Sequence, residues 1–227
     1  MDAERTYTEL AERARAALAS VNASPGVAKP DPILLAENVR RNFGGVTAVD
    51  VQHLEVQRGS ITALIGPNGA GKTTLFNLLT GFDTPDTGEW MFDSKNLKKV
   101  VAHKTASLGM VRTFQLTKSL TKLSVIENMK LGATQQMGEK WWNGLLPFRY
   151  RKQEAMIERR ADELLKRFKL DHMRDQYAGT LSGGQRKLLE MARALMTNPR
   201  LVMLDEPMAG VNPALKQSLN EHIRGLR

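Results

Sequence analysis

The chain has 227 residues, and 41% of them are hydrophobic, which is enough to fill one large core or two small ones. It contains no cysteine, so disulfides and thiolate metal sites are excluded. Its formal net charge of +9 would attract nucleic acid, anionic lipid or nucleotide phosphates, without choosing among them.

Residues 1–32 are predicted to be an N-terminal extension and linker, separate from a main domain over residues 33–227. Thr6 to Val21 has the apolar spacing of a short amphipathic helix, and the proline-rich run Pro25 to Pro32 is typical of a linker. The N-terminus has no apolar h-region and does not read as a signal peptide. No window approaches the roughly 18 uninterrupted apolar residues of a transmembrane helix, so we expect any membrane role to be peripheral.

Short β-rich runs bounded by glycine or polar turn residues begin at Ile33. They predict strands at Ile33–Val39, Val46–Val56, Ser60–Ile65 and Glu89–Phe92. Between Ser124 and Leu195 the apolar period becomes helical, most clearly at Ile157, Ala161, Leu164, Leu165 and Phe168. The continuous apolar run Leu201–Leu204 is the pattern of a strand buried on both faces of a parallel sheet. We therefore predict an α/β fold with a helical subdomain over about residues 116–198.

The strongest local signal directly follows the predicted strand Ser60–Ile65. Residues 66–73 match the pattern G-x-x-x-x-G-K-[ST], in which glycines let backbone N–H groups turn toward phosphate oxygens at a helix N-terminus. Lys72 is expected to reach the β- and γ-phosphates, and the Thr73 hydroxyl to bind Mg²⁺. The predicted nucleotide-binding set of this segment is Gly66, Pro67, Asn68, Gly69, Ala70, Gly71, Lys72, Thr73 and Thr74.

A carboxylate pair, Asp205 and Glu206, follows the apolar run Leu201–Leu204. Carboxylates at the end of a buried strand are costly to desolvate, and they are retained mainly where a cation or a reacting water compensates. We therefore expect Asp205 to hold Mg²⁺ through its water shell and Glu206 to act as the general base toward the attacking water. Together with Lys72 and Thr73, they supply the parts of one phosphoryl-transfer site.

The segment Leu181–Gln185 reads Leu-Ser-Gly-Gly-Gln and resembles the signature of ABC ATPases. Read alone, Ser-Gly-Gly is merely a helix start, but it stands here between the phosphate-binding pattern and the carboxylate pair. The resemblance covers about Ile33 to Arg227 and implies a P-loop NTPase fold of the ABC ATPase type, with a mixed sheet core, an antiparallel β subdomain and a helical signature subdomain. In this family the signature of one subunit faces the nucleotide of another. The implied binding residues in trans are Ser182, Gly183, Gly184 and Gln185.

Three further positions match motifs of the family. Gln115 matches the Q-loop glutamine, which meets Mg²⁺ or the water, and with Lys72 and Glu206 it completes the implied catalytic set. Phe43 lies where the family places an aromatic residue that stacks on adenine, and a core phenylalanine is the competing interpretation. Residues 209–213 match the D-loop, which crosses the dimer interface.

The sequences of segments 111–115, 124–128 and 209–213 resemble those of the ATP-binding subunits of branched-chain amino-acid importers and their urea and amide relatives. The resemblance implies ATP and Mg²⁺ as cofactors and ATP hydrolysis that powers solute import. It also implies a second ABC ATPase subunit, permease subunits and, indirectly, an extracytoplasmic solute-binding protein, with no nucleic acid. The chain would then lie peripherally on the cytoplasmic face of the cell membrane.

Two other functions stay open on the sequence. A soluble, non-transport ABC ATPase acting on nucleic acid or ribosomes would suit the basic charge. A regulator that binds nucleotide without hydrolysing it is the third interpretation, against which the intact Glu206 argues. The aromatic and basic segment from Lys140 to Lys152 is hypothesised to lie near the permease or lipid headgroups, or else to pack its own pair, Trp141 and Trp142, within the helical lobe.

The sequence departs from the family at its C-terminal end. The family's switch histidine follows the D-loop on a further strand, but the chain reaches Arg227 within a predicted helix, Pro213–Leu226, before such a strand. His222 lies inside this helix and is not assigned the switch role. We therefore expect a C-terminally truncated chain that lacks core strands and hydrolyses ATP poorly in isolation.

Overall fold

The structure, a computed structural model, describes residues 28–98, 100–113, 120–134, 147–208 and 213–225, together with Glu12, Ala16 and Ala19. These residues belong to two compact units, of which the first ends at Leu108 and the second runs from Gly109 to Gly225. Glu12, Ala16 and Ala19 are helical, as predicted. Other predictions lie outside the described residues, namely those for Gln115, for Trp141 and Trp142, and for residues 209–212.

The first unit contains a four-stranded antiparallel sheet in the order β2-β1-β3-β4. Its strands are β1 (Pro32–Phe43), β2 (Val46–Gln57), β3 (Thr87–Phe92) and β4 (Lys95–Asn96). The hairpin between β1 and β2 turns on Gly44 and Gly45, whose φ angles of 50° and 89° give the left-handed backbone that a two-residue hairpin loop needs. Three of the four strands predicted for this region are thus confirmed, each longer than expected.

Two helices follow in the first unit, α1 (Lys72–Leu79) and α2 (Ala102–Ser107). The apolar side of α1 buries Leu75, Leu78 and Leu79. The indole Nε1 of Trp90 on β3 donates a hydrogen bond to the Leu79 carbonyl at 3.1 Å, so α1 is joined to the sheet in the buried layer. This packing holds the start of α1, and with it the phosphate-binding pattern, on a rigid support.

The prediction of a strand at Ser60–Ile65 is wrong. In the structure this segment has no strand, and Ile61, Leu64 and Ile65 are exposed, the last by 90%. The run of apolar residues correctly indicated β-propensity, but a strand exists only where a neighbour accepts and donates its backbone hydrogen bonds. Within the described part of the chain, no strand pairs with Ser60–Ile65.

The second unit combines a short parallel sheet with helices. β5 (Met110–Thr113) pairs in parallel with β6 (Leu201–Leu204), so the predicted strand at Leu201–Leu204 is confirmed. Its expected burial on both faces is wrong, because only Met203 is fully buried and the other three residues are half-buried. Among the described residues β6 has a neighbour along one edge only, which leaves its side chains less covered than those of a central strand.

The helices of the second unit are α3 (Val125–Lys130), α4 (Pro147–Arg167), α5 (Gly183–Leu195) and α6 (Pro213–Arg224), with single 3₁₀ turns at Asp171–Met173 and Ala178–Thr180. The helical period expected between Ser124 and Leu195 is confirmed. Its predicted apolar positions are buried, apart from the half-buried Ile157; they are Ala161, Leu164, Leu165 and Phe168. α6 agrees with the helix predicted from Pro213, and its His222 packs against the Phe168 ring at 4.7 Å between centroids.

Candidate functional site

The segment Gly66–Lys72 of the first unit forms a tight loop that only glycine permits at one position. Gly71 lies immediately before α1 with a φ of 78°, and a Cβ atom there would come within 2.0 Å of the Ala48 carbonyl oxygen. Gly69 also has a left-handed φ, of 83°. Gly71, the second glycine of the pattern, is therefore required by the backbone geometry, as the motif predicted, whereas Gly69 stands at a variable position of the pattern.

The N-terminus of α1 is open to an anion. No side chain caps this helix, and its first turn has no acidic residue. The Lys72 ammonium donates hydrogen bonds to the carbonyls of Gly66 at 2.8 Å and Pro67 at 2.7 Å, so it lies folded over the loop. Thr73 is exposed at the same end of the helix. Backbone N–H groups, an ammonium and the positive end of the helix dipole together form a site that suits phosphate oxygens.

Phe43 ends β1 in the same unit, next to the Gly44–Gly45 turn. The residue is 48% exposed, so the competing interpretation of Phe43 as a core residue is wrong. The guanidinium carbon of Arg41 lies 4.7 Å from the ring centroid, over one face of the ring. An exposed aromatic ring held in this way is suited to stacking against a planar group.

In the second unit, the carboxylate of Asp205 is buried at the end of β6 and is compensated by an arginine. Arg112 Nη2 lies 2.7 Å from Asp205 Oδ2, and the two side chains are only 5% and 8% exposed. The parallel pairing sets Arg112 opposite Met203 and Thr113 opposite Leu204, which brings the two ends together. From the sequence, Mg²⁺ or a reacting water was the expected compensation for Asp205; Arg112 was missed, and its signal would have been the pairing of β5 with β6.

Glu206 leaves the strand in a different direction from Asp205. Its φ of 45° lies in the left-handed region, which is uncommon for a residue with a side chain and recurs at functional sites. Unlike Asp205, Glu206 is exposed. A cavity of about 20 Å³ lies beside the pair, enough for one water molecule. It is lined by Thr113, Lys187, Glu190, Met191, Asp205, Glu206, Pro207 and Leu219.

The segment Leu181–Gln185 forms the start of α5 through a reciprocal capping box. Gln185 N donates to Ser182 Oγ at 3.2 Å, and Ser182 N donates to Gln185 Oε1 at 2.9 Å. Ser182 and Gly183 are exposed, and a Cβ atom at Gly183 would meet nothing within 4 Å. The Ser182 oxygen accepts within the helix start, so its own proton can still be donated outward, whereas the Gln185 side chain is already engaged.

Comparison with known proteins decides the family. Residues 49–209 match the family described as ABC transporter, a range that includes the phosphate-binding loop, the capped start of α5 and the carboxylate pair. The chain belongs to the ABC transporter family. As an ABC ATPase it binds a nucleotide, and the prediction of an ATPase coupled to transport is confirmed.

Curated relatives of this ABC ATPase carry a more specific name. A protein of Archaeoglobus fulgidus named "Probable branched-chain amino acid transport ATP-binding protein LivG" is 42% identical over 195 residues, covering 86% of this chain and 75% of the relative. The Escherichia coli K12 protein named "High-affinity branched-chain amino acid transport ATP-binding protein LivG" is 39% identical, with 86% and 77% covered. The predicted resemblance to this branch is therefore confirmed.

Solved structures agree with the fold of this ABC ATPase. The crystal structure of an ATP-binding cassette of an ABC transporter in its ADP conformation superposes with a TM-score of 0.73 at 41% identity, covering 86% of this chain and 76% of the other. A nucleotide-free cassette gives a TM-score of 0.72 at 39% identity, with 86% and 77% covered. The predicted P-loop NTPase fold of the ABC type is confirmed. None of the described helices has the length and apolar character to cross a membrane.

The structure places the predicted site residues in two groups. Phe43 and Gly66–Thr74 belong to the first unit, and Ser182–Gln185 with Asp205 and Glu206 belong to the second. Within the second unit, Asp205 and Glu206 share one cavity with Thr113. His222 lies on α6 against Phe168, and burial is the largest of the causes that lower its pKa. That His222 is not the switch histidine stays a prediction.

Proposed function

We propose that this ABC ATPase hydrolyses ATP to power the import of branched-chain amino acids. The proposed solute class rests on the names of two relatives, which are 39% and 42% identical to this chain over 86% of its length. An ATPase subunit of this kind does not have to touch the solute, so its own residues support the motor function and the relatives support the cargo.

The residues of the first unit are proposed to hold the nucleotide. The loop Gly66–Gly71 and the open start of α1 would receive the phosphates, with Lys72 turning from the Gly66 and Pro67 carbonyls to the β- and γ-phosphates. Thr74, in the first turn of α1, would contribute to the same phosphate contacts. The exposed face of Phe43 would stack on the adenine.

The donor set is suited to Mg²⁺, which takes oxygen ligands from hydroxyl, carboxylate and amide groups. Thr73 and Asp205 would hold the ion, Asp205 through its water shell, and Gln115 would supply an amide oxygen. When bound, Mg²⁺ neutralises negative charge on the phosphate oxygens. Arg112, at 2.7 Å, holds the Asp205 carboxylate in its orientation inside the second unit.

Glu206 is proposed to be the general base that takes a proton from the attacking water, with Lys72 and Gln115 completing the catalytic set. Its exposed carboxylate, turned out of the strand by a left-handed backbone, borders a cavity with room for one water. Ser182, Gly183, Gly184 and Gln185 would act on the nucleotide of a second ABC ATPase subunit, with the Ser182 hydroxyl as donor.

The proposal extends to partners, place and domain organisation. The chain would pair with itself or a sister subunit, engage permease subunits and serve a solute-binding protein on the other side of the membrane, without nucleic acid. It would lie peripherally on the cytoplasmic face. Residues 33–227 would form the ATP-binding domain after an extension of 32 residues, and α3, α4 and α5 all lie within the proposed helical subdomain of about residues 116–198.

A Glu206→Gln substitution at the gene's own locus tests the function. We expect it to lower ATP turnover by about 100-fold or more and to abolish uptake of labelled leucine, isoleucine and valine, because the base is lost while its shape is kept. Glu221→Gln, an exposed glutamate on α6, is the matched control and should retain both activities. If turnover collapses but leucine uptake persists while urea or amide uptake is lost, the solute assignment is wrong. If turnover persists, the assignment of the base is wrong.

A further inference from the structure

Arg41 on β1 donates hydrogen bonds from all three of its guanidinium nitrogens within the first unit. Its Nε and Nη2 donate to the two carboxylate oxygens of Asp83, at 3.1 and 3.0 Å, and its Nη1 donates to Asp86 Oδ1 at 2.9 Å. The flat face of the same group covers the Phe43 ring, with 4.7 Å between the guanidinium carbon and the ring centroid. A paired, planar guanidinium is a far more rigid neighbour for an aromatic ring than a free arginine would be.

The two carboxylates are themselves tied to the fold. Asp86 Oδ2 accepts hydrogen bonds from the backbone and side-chain nitrogens of Asn42, at 2.7 and 2.9 Å. The Asp83 backbone N–H donates to the Asn77 carbonyl in α1 at 3.2 Å. Because α1 begins at the phosphate-binding loop, this network connects the helix that carries Lys72 to the strand that carries Phe43.

The network covers one ring face of Phe43, while the residue as a whole is still 48% exposed. The neighbouring turn, Gly44–Gly45, has no side chains that could restrain the ring. The cation–π contact with Arg41 therefore favours the orientation that the ring has in the structure, and the face away from Arg41 is left for a ligand.

We propose that Arg41, anchored by Asp83 and Asp86, is the positioning residue that holds Phe43 ready to stack on the base of the nucleotide. This inference rests on the proposed stacking role of Phe43. Arg41 acts through the ring and not on the phosphates. Its removal therefore weakens the binding of nucleotides and leaves the binding of base-free phosphate chains unchanged.

The test measures the dissociation constants of Mg-ADP and of inorganic tripolyphosphate for the full chain by calorimetry. Phe43→Ala should weaken Mg-ADP about 10-fold, within the range known for base stacking on aromatic side chains. Arg41→Met should weaken it several-fold, Arg41→Lys less, and neither should alter tripolyphosphate binding. The matched control is Arg40→Met, on the neighbouring exposed position of β1. The double variant Arg41→Met with Phe43→Ala should bind Mg-ADP no more weakly than Phe43→Ala alone.

The outcomes separate this inference from the proposed function. If Phe43→Ala weakens Mg-ADP and Arg41→Met does not, the stacking role stands and the positioning role of Arg41 is overturned. If Phe43→Ala has no effect, both fail. If Arg41→Met weakens tripolyphosphate as much as Mg-ADP, Arg41 supports the whole unit, and its specific role toward the base is overturned. If Arg41→Met folds poorly, the same two dissociation constants are compared for Arg41→Lys, which keeps the positive charge but loses the planar guanidinium.

Discussion

At the scale of single residues, the ion pair of Arg112 with Asp205 is a feature on which both stability and chemistry depend. Both side chains are more than nine-tenths buried, and the pair closes at 2.7 Å. Two charges in such a place stabilise the fold only while both are present, since either one alone would be a buried charge without compensation.

Removing one partner of this pair should therefore be far worse than removing both. We expect Arg112→Met to lower the free energy of unfolding by about 3–5 kcal/mol, measured by urea denaturation. The double variant Arg112→Met with Asp205→Leu should recover most of that loss while having no ATPase activity. The exposed pair of Arg160 with Glu163, at 4.0 Å, provides the comparison, and Arg160→Met should change stability by less than about 1 kcal/mol. Equal losses for both arginines would contradict this account.

At the scale of elements, two helices of the second unit begin with the same device. α3 is capped by Ser124 and Glu127, and α5 by Ser182 and Gln185, each as a reciprocal capping box. The two serines therefore make equivalent contributions to helix stability, but only Ser182 belongs to the segment that resembles the ABC signature. Chemistry and capping can be separated by comparing them.

Ser124→Ala and Ser182→Ala should each lower the free energy of unfolding by about 1 kcal/mol, because each removes one cap from an N-terminal N–H group. Only Ser182→Ala should also lower ATP turnover, by about 10-fold or more, because only its hydroxyl is proposed to reach a phosphate. Urea denaturation and a steady-state ATPase assay provide the two readouts. If Ser124→Ala slows turnover equally, the effect comes from helix stability and not from contact with the nucleotide.

The antiparallel sheet of the first unit should have a pH-dependent stability that originates at His53. His53 on β2 lies directly opposite Glu37 on β1, with Nδ1 2.7 Å from Glu37 Oε1, and its Nε2 lies 3.2 Å from Glu55 Oε1. The pKa of His53 is raised above its ordinary value of 6.5, and the largest cause is the hydrogen bond to Glu37. Partial burial acts in the opposite direction and lowers the pKa. The backbone N–H of Lys29 also donates to Glu55.

Because the pKa of His53 is raised in the folded state, its contribution is complete below the unfolded pKa and is lost as pH rises through the folded pKa. The free-energy difference between the chain and His53→Gln should therefore shrink between about pH 6 and pH 8. Urea denaturation at several pH values measures it, with His103→Gln on α2 as the control for loss of an exposed histidine. A difference that stays constant over this range would contradict the prediction.

At the scale of the whole molecule, the features that sequence reasoning predicted well are those made by residues close together in the chain. The left-handed glycines of the loop before α1 and the Gly44–Gly45 turn follow from local backbone geometry. The helical positions from Ala161 to Phe168 follow from a period of 3.6 residues. Each of these rules acts over fewer than about ten residues and needs no knowledge of the rest of the fold.

The features that sequence reasoning missed join distant parts of the chain. Arg112 and Asp205 are 93 positions apart, and Arg41 is 42 and 45 positions from Asp83 and Asp86. An arginine in the sequence does not show which carboxylate it will meet, because that depends on which strands pair and in what register. The strand wrongly predicted at Ser60–Ile65 has the same origin, since pairing and not apolar character makes a strand.

The sequence by itself therefore determined the family, the phosphate-binding loop, the capped signature and the carboxylate pair, because these depend on ordered runs of neighbouring residues. Only the tertiary structure decided that Asp205 is balanced by Arg112, that Phe43 is exposed beneath Arg41, and that Glu206 turns away from the strand. The physical reason is that burial and charge compensation are properties of the space around a side chain, and strand pairing and packing create that space.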